Sequence, residues 1–359
     1  MKLLDASVSY RKLPVNLIDN DLFLFADELK KSTEETRLLT LRNVRISPEG
    51  LIFKDFNIFK ESYSKDYIYS FSLDILKKDI KSLLKNYFLR KSITLQEDDY
   101  LWITDEQSYN YFHWLLDVVP RLVAALKKIE KPKIILPYHY KNIRFMAESL
   151  EAFPLSNLIF MSQNVVYNLN KLIIPTHIAS SGDYNDRLVK QVREIYRNYY
   201  CDKLNVSLGD KIYISRAKAR MRKIINEEEL IALLKQHGFE IIIAENYSFA
   251  EQVSIAFHAK YLISSHGAGL TNMLFMEAGS SVLELRKAGD KYNNCYFSLA
   301  SALDLKYYYQ KCKSELGNYI MPKDSNPMME EWALFHNADI VVNVEDFKAN
   351  IDRMLGESI

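Results

Sequence analysis

The sequence predicts an α/β protein of two Rossmann-like halves joined by a linker, with a β-rich entry region ahead of the first half. Three observations carry this reading. Short apolar runs bounded by turn residues alternate twice along the chain with amphipathic helical stretches, the pattern of parallel strands and crossover helices. A polar stretch from Asp202 to Asp210, containing Gly209, separates the two series. The second series holds a strand, a small-residue loop, a helix and a strand in direct succession, YLISSHGAGLTNMLFMEAGSSVLEL from Tyr261 to Leu285. The expected domains are therefore 1–205 (β-rich to about 95, Rossmann-like from about 96) and 206–335, with a C-terminal helix in 336–359 that packs back on the first domain.

In the entry region, Arg37 to Ile46, Leu51 to Phe59 and Tyr67 to Leu73 read as strands joined by turns such as Pro48-Glu49-Gly50, and Leu76 to Phe88 as an amphipathic helix. Tyr100 to Thr104 is the next strand. From Tyr109 to Ile129 the pattern is helical, with Trp114, Val118, Leu122, Ala125 and Ile129 forming an apolar stripe. His113, Asp117 and Arg121 are spaced by four and fall on another face. Pro120 lacks a backbone donor and should kink or restart this helix. Lys133–Pro137, Leu158–Phe160 and Lys171–Pro175 read as strands, Asn142–Ala152 and Asp186–Tyr200 as helices.

In the second half, the Lys211–Ile214 strand leads into a loop with five cations, Arg216, Lys218, Arg220, Arg222 and Lys223. Asn226 with Glu229 is the expected cap of the next helix, which Gly238 ends. Phe239–Ala244 is a strand, and Ser248 with Glu251 forms a capping box for the helix through Phe257. The Tyr261 strand, the glycine loop, a helix from Leu270 to about Met276 and the Val282–Leu285 strand follow. Tyr296–Leu303 reads as a helix, Lys306–Gln310 as a strand and Val344–Leu355 as the last helix.

Bulk properties remove several functions. Lys+Arg 47 against Asp+Glu 46 gives a net charge of +1, so no global basic field points to nucleic acid. No apolar run approaches the roughly 18 residues of a membrane helix, and the N-terminus has no apolar core of signal-peptide length. Cys201, Cys295 and Cys312 are odd in number and lie in no C-x-x-C, which argues against disulfides and a cysteine zinc site. Cytoplasmic residence, extending to the inner face of the membrane as a peripheral protein, is the expectation.

The chemistry concentrates in three clusters. The loop Ser264–Gly269 opens onto a helix start, whose free N–H groups and partial positive charge suit a phosphate. Gly267 and Gly269 would let an anion approach the backbone, with His266, Ala268, Leu270, Thr271 and Asn272 around it and side-chain donors from His266, Thr271 and Asn272. The Ser215–Lys223 loop lies past a strand's carboxyl end, where open α/β sheets bind ligands, and its arginines can grip a diphosphate bidentately. Glu284, at the end of the next strand, suits ribose hydroxyls or a structural role. The third cluster is the His113/Asp117/Arg121 face.

Together, HWLLDVVPRL (His113–Leu122), YISRAKARMRKIINEEEL (Tyr213–Leu230) and SSHGAGLTNMLFMEAGSSVLEL (Ser264–Leu285) resemble glycosyltransferase family 61, which includes bacterial capsule and cell-surface polysaccharide transferases. The resemblance covers roughly residues 100 to 290. It implies a GT-B fold, two Rossmann-like domains facing a cleft, with a nucleotide sugar held mostly by the C-terminal half, anomeric inversion and no obligatory metal or other cofactor. Independently, no D-x-D pair is placed to hold a metal; Asp183-Tyr184-Asn185-Asp186 reads as a helix cap. Without a metal, the leaving diphosphate must be stabilised by cations and a helix tip, which Ser215, Arg216, Arg220, Arg222 and the Gly267–Thr271 turn supply.

Inversion in one displacement needs a base for the acceptor hydroxyl. Asp117 is the expected base, with His113 orienting it or serving instead, and Tyr109, Asn110 and Arg121 contribute to the acceptor or to orientation. The expected partners are a nucleotide-sugar donor and an oligosaccharide or lipid-linked glycan acceptor of a surface polysaccharide. A nucleotide-sugar epimerase and a silent glycan-binding scaffold are the alternatives. The former should bury further acid/base groups beside the sugar, and the latter needs neither the cationic loop nor the His113/Asp117 face.

Overall fold

The computed structural model describes residues 1–65, 80–96, 100–200, 206–315 and 334–356. They form two units, 1–9 with 31–195 and 10–30 with 196–359, and the division falls inside the helix Asp186–Tyr200.

The first unit is built on one mixed sheet ordered Asn157–Phe160, Lys133–Leu136, Tyr100–Leu101, Val165–Pro175, Thr36–Ile46, Ile52–Lys54, Asn57–Ile58. The first four run parallel, and Lys91–Leu95 also lies parallel to the start of Val165–Pro175. From Thr36–Ile46 onward the pairing is antiparallel. The β-rich entry region is therefore not a separate layer. Its long strand pairs with Val165–Pro175 from Tyr167↔Ile46 to Pro175↔Leu38 and shares one core with it through Val44, Ile46, Trp102, Leu172 and Ile174. The expected Tyr67–Leu73 strand lies outside the described residues, as does the start of the Leu76–Phe88 helix; residues 80–84 are α-helical and Lys85–Leu89 a π turn.

The helix expected over 109–129 is wound in three ways: α over Tyr111–His113, π over Trp114–Val118 and α over Val119–Leu126. Pro120 explains the middle segment. Its missing N–H and its ring disrupt the ladder one turn earlier, and a wider turn absorbs the mismatch. Asn110 caps the start, its side-chain oxygen accepting from the Phe112 N–H at 2.9 Å.

The second unit carries a sheet ordered Glu240–Ile242, Lys211–Ile214, Tyr261–Ser265, Ser281–Lys287, Lys306–Glu315, Asp339–Val341, parallel except for the last strand. Numbered by order in the chain, the five parallel strands run 2-1-3-4-5, a doubly wound sheet whose order reverses between Lys211–Ile214 and Tyr261–Ser265. The capping box of Ser248 and Glu251 is present. Asn226 does not cap its helix; its amide instead exchanges hydrogen bonds with the backbone of Val342.

Two boundaries differ from expectation. The C-terminal helix Val344–Leu355 buries Phe347, Ile351 and Met354 against Tyr213, Leu283 and Leu285, so it belongs to the second sheet, not the first domain. Residues 10–30 also join the second unit. Phe25 packs 4.8 Å from Phe297, and Asp21 accepts hydrogen bonds from Tyr309 (2.7 Å) and Lys311 (2.8 Å). No local signal in 10–30 marks that long-range destination. Among the described residues no helix is long and apolar enough to cross a membrane.

Candidate functional site

The two loops singled out in the second half leave adjacent strands, one on each side of the point where the sheet order reverses. Ser215 turns the first loop, its hydroxyl accepting from the Ala217 N–H at 3.1 Å. Glu227 fastens it from the next helix, accepting from the Tyr213 hydroxyl (2.7 Å) and the Arg216 N–H (3.4 Å). The far end is stitched to the last strand by Lys223 N–H to Asp339 (2.8 Å) and Ile225 N–H to Ile340 carbonyl (2.9 Å).

So held, the loop folds back on Arg216, whose Nε and Nη2 donate to the carbonyls of Arg222 and Met221, each at 3.2 Å. Its Nη1 lies over Gly267: a Cβ built there would sit 1.9 Å from it. This changes the reason for the glycine. Gly267 admits the arginine that would hold the anion. At Gly269 the space is filled by Ile214, 3.0 Å from an added Cβ, so that glycine serves packing of helix on strand.

Beside this contact lies a recess of about 310 Å³ lined by Arg222, Ser265, His266, Lys287, Asp290 and His336 with Leu285 and Ile340. Arg222 Nε and Ser265 Oγ are buried with no hydrogen-bond partner among the described residues, orphan polar atoms that a bound water, ion or ligand oxygen would satisfy. Arg222 also has φ 61°, a strained backbone for a bulky side chain.

His266 donates its Nδ1–H to Glu284 at 2.5 Å, and the other Glu284 oxygen accepts from the Tyr307 hydroxyl at 2.5 Å. Burial, the largest influence on Glu284, pushes its carboxyl up, but His266, Arg286 and Tyr307 together bring it below the usual range. A fully buried carboxylate with both oxygens engaged orients His266; it is not available to ribose hydroxyls.

The glycine loop opens into a 3₁₀ helix, Ala268–Phe275, not an α-helix. Leu270 and Thr271 are fully buried, the Thr271 hydroxyl unpartnered among the described residues as that of Ser265 is, and the Asn272 amide donates to Gln252 at 3.1 Å, so Leu270 and Asn272 support the turn. Arg220 is exposed on the outside of its loop.

Lys287 was invisible to the sequence reading because the strand runs on to it, two residues past Leu285. Its ammonium donates to the carbonyls of Phe335 and His336. Burial, then Arg222, pushes its pKa down to about 8. An anion in the recess favours its charged form, which is populated below that value. Anionic-ligand affinity should therefore fall as pH rises through about 8, and Lys287→Met should remove this dependence, read by calorimetric titrations at a series of pH values.

In the first unit the strand order by chain position, counting the four strands from Tyr100–Leu101 on, is 3-2-1-4, and it reverses between Tyr100–Leu101 and Val165–Pro175. The segments that follow these two strands hold His113, Asp117 and Ser181. His113 Nδ1 is 2.8 Å from Asp117 Oδ2, and the Ser181 hydroxyl lies 2.9 Å from the same oxygen and 3.1 Å from His113 Nδ1. Ser181 and Asp117 both meet Nδ1, so this is no hydrolase relay, which needs serine on one ring nitrogen and carboxylate on the other. A second recess of about 310 Å³ adjoins Asp117, lined also by Leu116, His177, Tyr184 and Leu188. Ser181 had no motif around it; only its place after a parallel strand's carboxyl end could have suggested it.

Arg121 is not on this face. It is fully buried, donating to the Pro175 carbonyl (2.8 Å) and the Ile103 carbonyl (3.0 Å). It lies beside His177, which bridges Glu61 and Asp105 at 3.0 Å each. The π turn explains the departure, since it offsets the four-residue spacing that aligned Arg121 with Asp117. Arg121→Met should cost about 3–5 kcal/mol of stability by leaving the buried carboxylates undercompensated, measured by urea denaturation. Tyr109 is 59% exposed, and Asn110 is committed to its cap. Asn185, in the segment read as a helix cap, does accept from the Leu188 N–H at 3.1 Å. Among the described residues no group of three or more His, Cys, Asp or Glu could hold a metal ion.

Comparison with known proteins gives a consistent result. Residues 111–283 match the family model described as Glycosyltransferase 61. Curated relatives include an EGF domain-specific O-linked N-acetylglucosamine transferase of Bos taurus, 31% identical over 144 residues, 38% of this chain and 26% of that protein. The protein of the same name from Drosophila melanogaster is 34% identical over 98 residues, 26% of this chain and 18% of its own length. Protein O-linked-mannose beta-1,4-N-acetylglucosaminyltransferase 2 of Homo sapiens is 34% identical over 104 residues, 26% and 18% respectively. The chain thus spans about a quarter or less of the length of these relatives.

Proposed function

We propose that this chain, whose residues 111–283 belong to the glycosyltransferase 61 family, transfers a sugar from a nucleotide-sugar donor bound by its second unit. The observation that carries the reading is the Arg216 guanidinium seated on Gly267, beside a recess with Arg222 and Lys287 and an unpartnered Ser265 hydroxyl. Those groups suit a diphosphate: fixed cations and donors aimed at oxygens that gain negative charge as the sugar departs. The reading includes a GT-B type of organisation, one substrate to each Rossmann-like unit, and a metal-independent reaction in which side chains carry the charge.

Transfer is a single inverting displacement. The acceptor oxygen forms the glycosidic bond as the diphosphate leaves with its bonding electrons, and the hydroxyl proton goes to a base. His113 is that base. With Nδ1–H donated to Asp117 its lone pair lies on Nε2, and Asp117 stabilises the imidazolium that forms. This reverses the order of preference drawn from sequence, where Asp117 came first.

The names of the relatives support N-acetylglucosamine as the donor sugar and a hydroxyl of a glycan or glycosylated protein as the acceptor. None of them names a bacterial surface polysaccharide, so the capsule acceptor is set aside. Thermal-shift screening against UDP-, GDP- and CMP-sugars should show stabilisation by an N-acetylglucosamine donor, unchanged by EDTA. No stabilisation by any donor would overturn the reading, and dependence on a divalent ion would overturn its metal-free part.

A further inference from the structure

Outside both sites, the first unit carries an apolar surface bordered by lysines. In the hairpin joining Ile52–Lys54 to Asn57–Ile58, the turn residues Asp55 and Phe56 have φ of 50° and 59°. Such a turn favours asparagine and glycine, and a bulky aromatic there is strained. Phe56 is nevertheless held 61% exposed, stacked 4.5 Å from Tyr87. Tyr87 belongs to the helical stretch 80–89, whose polarity is reversed. The outer row, Ile80, Leu84 and Phe88, is 52%, 51% and 70% exposed, while Asn86 is buried with its amide on the Ser82 carbonyl at 2.8 Å. A surface helix of a water-facing protein turns its apolar row inward. Lys81 and Lys85 flank the row and Lys91 follows it, all exposed.

We propose that this surface docks on an anionic lipid bilayer, Phe56, Leu84 and Phe88 entering the headgroup boundary while the lysines meet lipid phosphates. Aromatic and aliphatic side chains in one row with a cationic border are what an interfacial helix presents; lysine stems reach past the apolar row to the charged surface. Strain kept at Phe56 fits a side chain retained for contact and not for folding. Among the described residues, the proposed surface sets three exposed lysines against one exposed carboxylate, Asp55 beside Phe56, whereas the other exposed apolar run, around Ile18, Leu22 and Phe23, has Asp19 and Asp27 beside it and lacks that border.

The test is co-sedimentation of the full chain with vesicles of phosphatidylcholine and phosphatidylglycerol, against vesicles of phosphatidylcholine alone. Binding to the anionic vesicles only is expected, weakened about tenfold or more by Phe88→Glu and by the Lys81→Glu/Lys85→Glu pair. Phe56→Asn, which relieves the turn, should bind vesicles more weakly while melting no lower than the parent, a combination a folding role would not give. Absence of binding to either vesicle, or variants that bind as the parent does, would overturn the proposal. So would a self-association that Phe88→Glu abolishes in a chain that ignores vesicles.

Discussion

His113→Ala should lower kcat by about 10³-fold, within the range general-base catalysis contributes, while the donor binds as before. The effect is large because one side chain takes the acceptor proton, and it spares the donor because His113 and its partners lie in the first unit. Asp117→Asn should also depress kcat. An amide in its place can present its NH₂ to Nδ1, which favours the tautomer with the lone pair on the wrong nitrogen. Ser181→Ala should do less, since it removes a hydrogen bond but leaves both ring and carboxylate in place. Single-turnover rates with donor affinity measured by calorimetry separate these cases. Retained turnover in His113→Ala with loss in Asp117→Ala would return the role to the carboxylate.

Arg216→Ala should weaken donor binding by about 10- to 100-fold, the loss of one or two charge-assisted hydrogen bonds at about 1.5–3 kcal/mol. Gly267→Ala should approach the same loss with every cation still present. A methyl 1.9 Å from Nη1 must drive the guanidinium off its seat, and its clamp on the Met221 and Arg222 carbonyls leaves few other positions. Calorimetric titration of the donor into both variants checks this. Wild-type affinity in Gly267→Ala would show that the seat does not matter.

The sequence made the second unit legible because its signals are local. Brief apolar runs, a capping box and glycines at turns fix strands and helices without help from distant residues, and each of the two loops follows the carboxyl end of a strand so marked, while the strand order that sets them on either side of the reversal point is not written locally. Where tertiary partners decide, the reading failed. Glu284 and Thr271 sit in the right segment, but whether they face a ligand or the core depends on Tyr307 and the packing around the 3₁₀ helix. Arg121 matched a four-residue period that Pro120 undoes. Asn226 had a cap's sequence context, and the backbone of Val342, just past a distant strand, took its amide. Phe25 and the Tyr10–Lys30 excursion carry no local mark of the sheet they join.

A crystal structure of the chain with an intact nucleotide-sugar donor tests the central claim most directly. The account predicts diphosphate oxygens within hydrogen-bond distance of Arg216 Nη1, Arg222 and His266 Nε2, without a bridging cation. A diphosphate held elsewhere, or joined to carboxylates through a divalent ion, would contradict it.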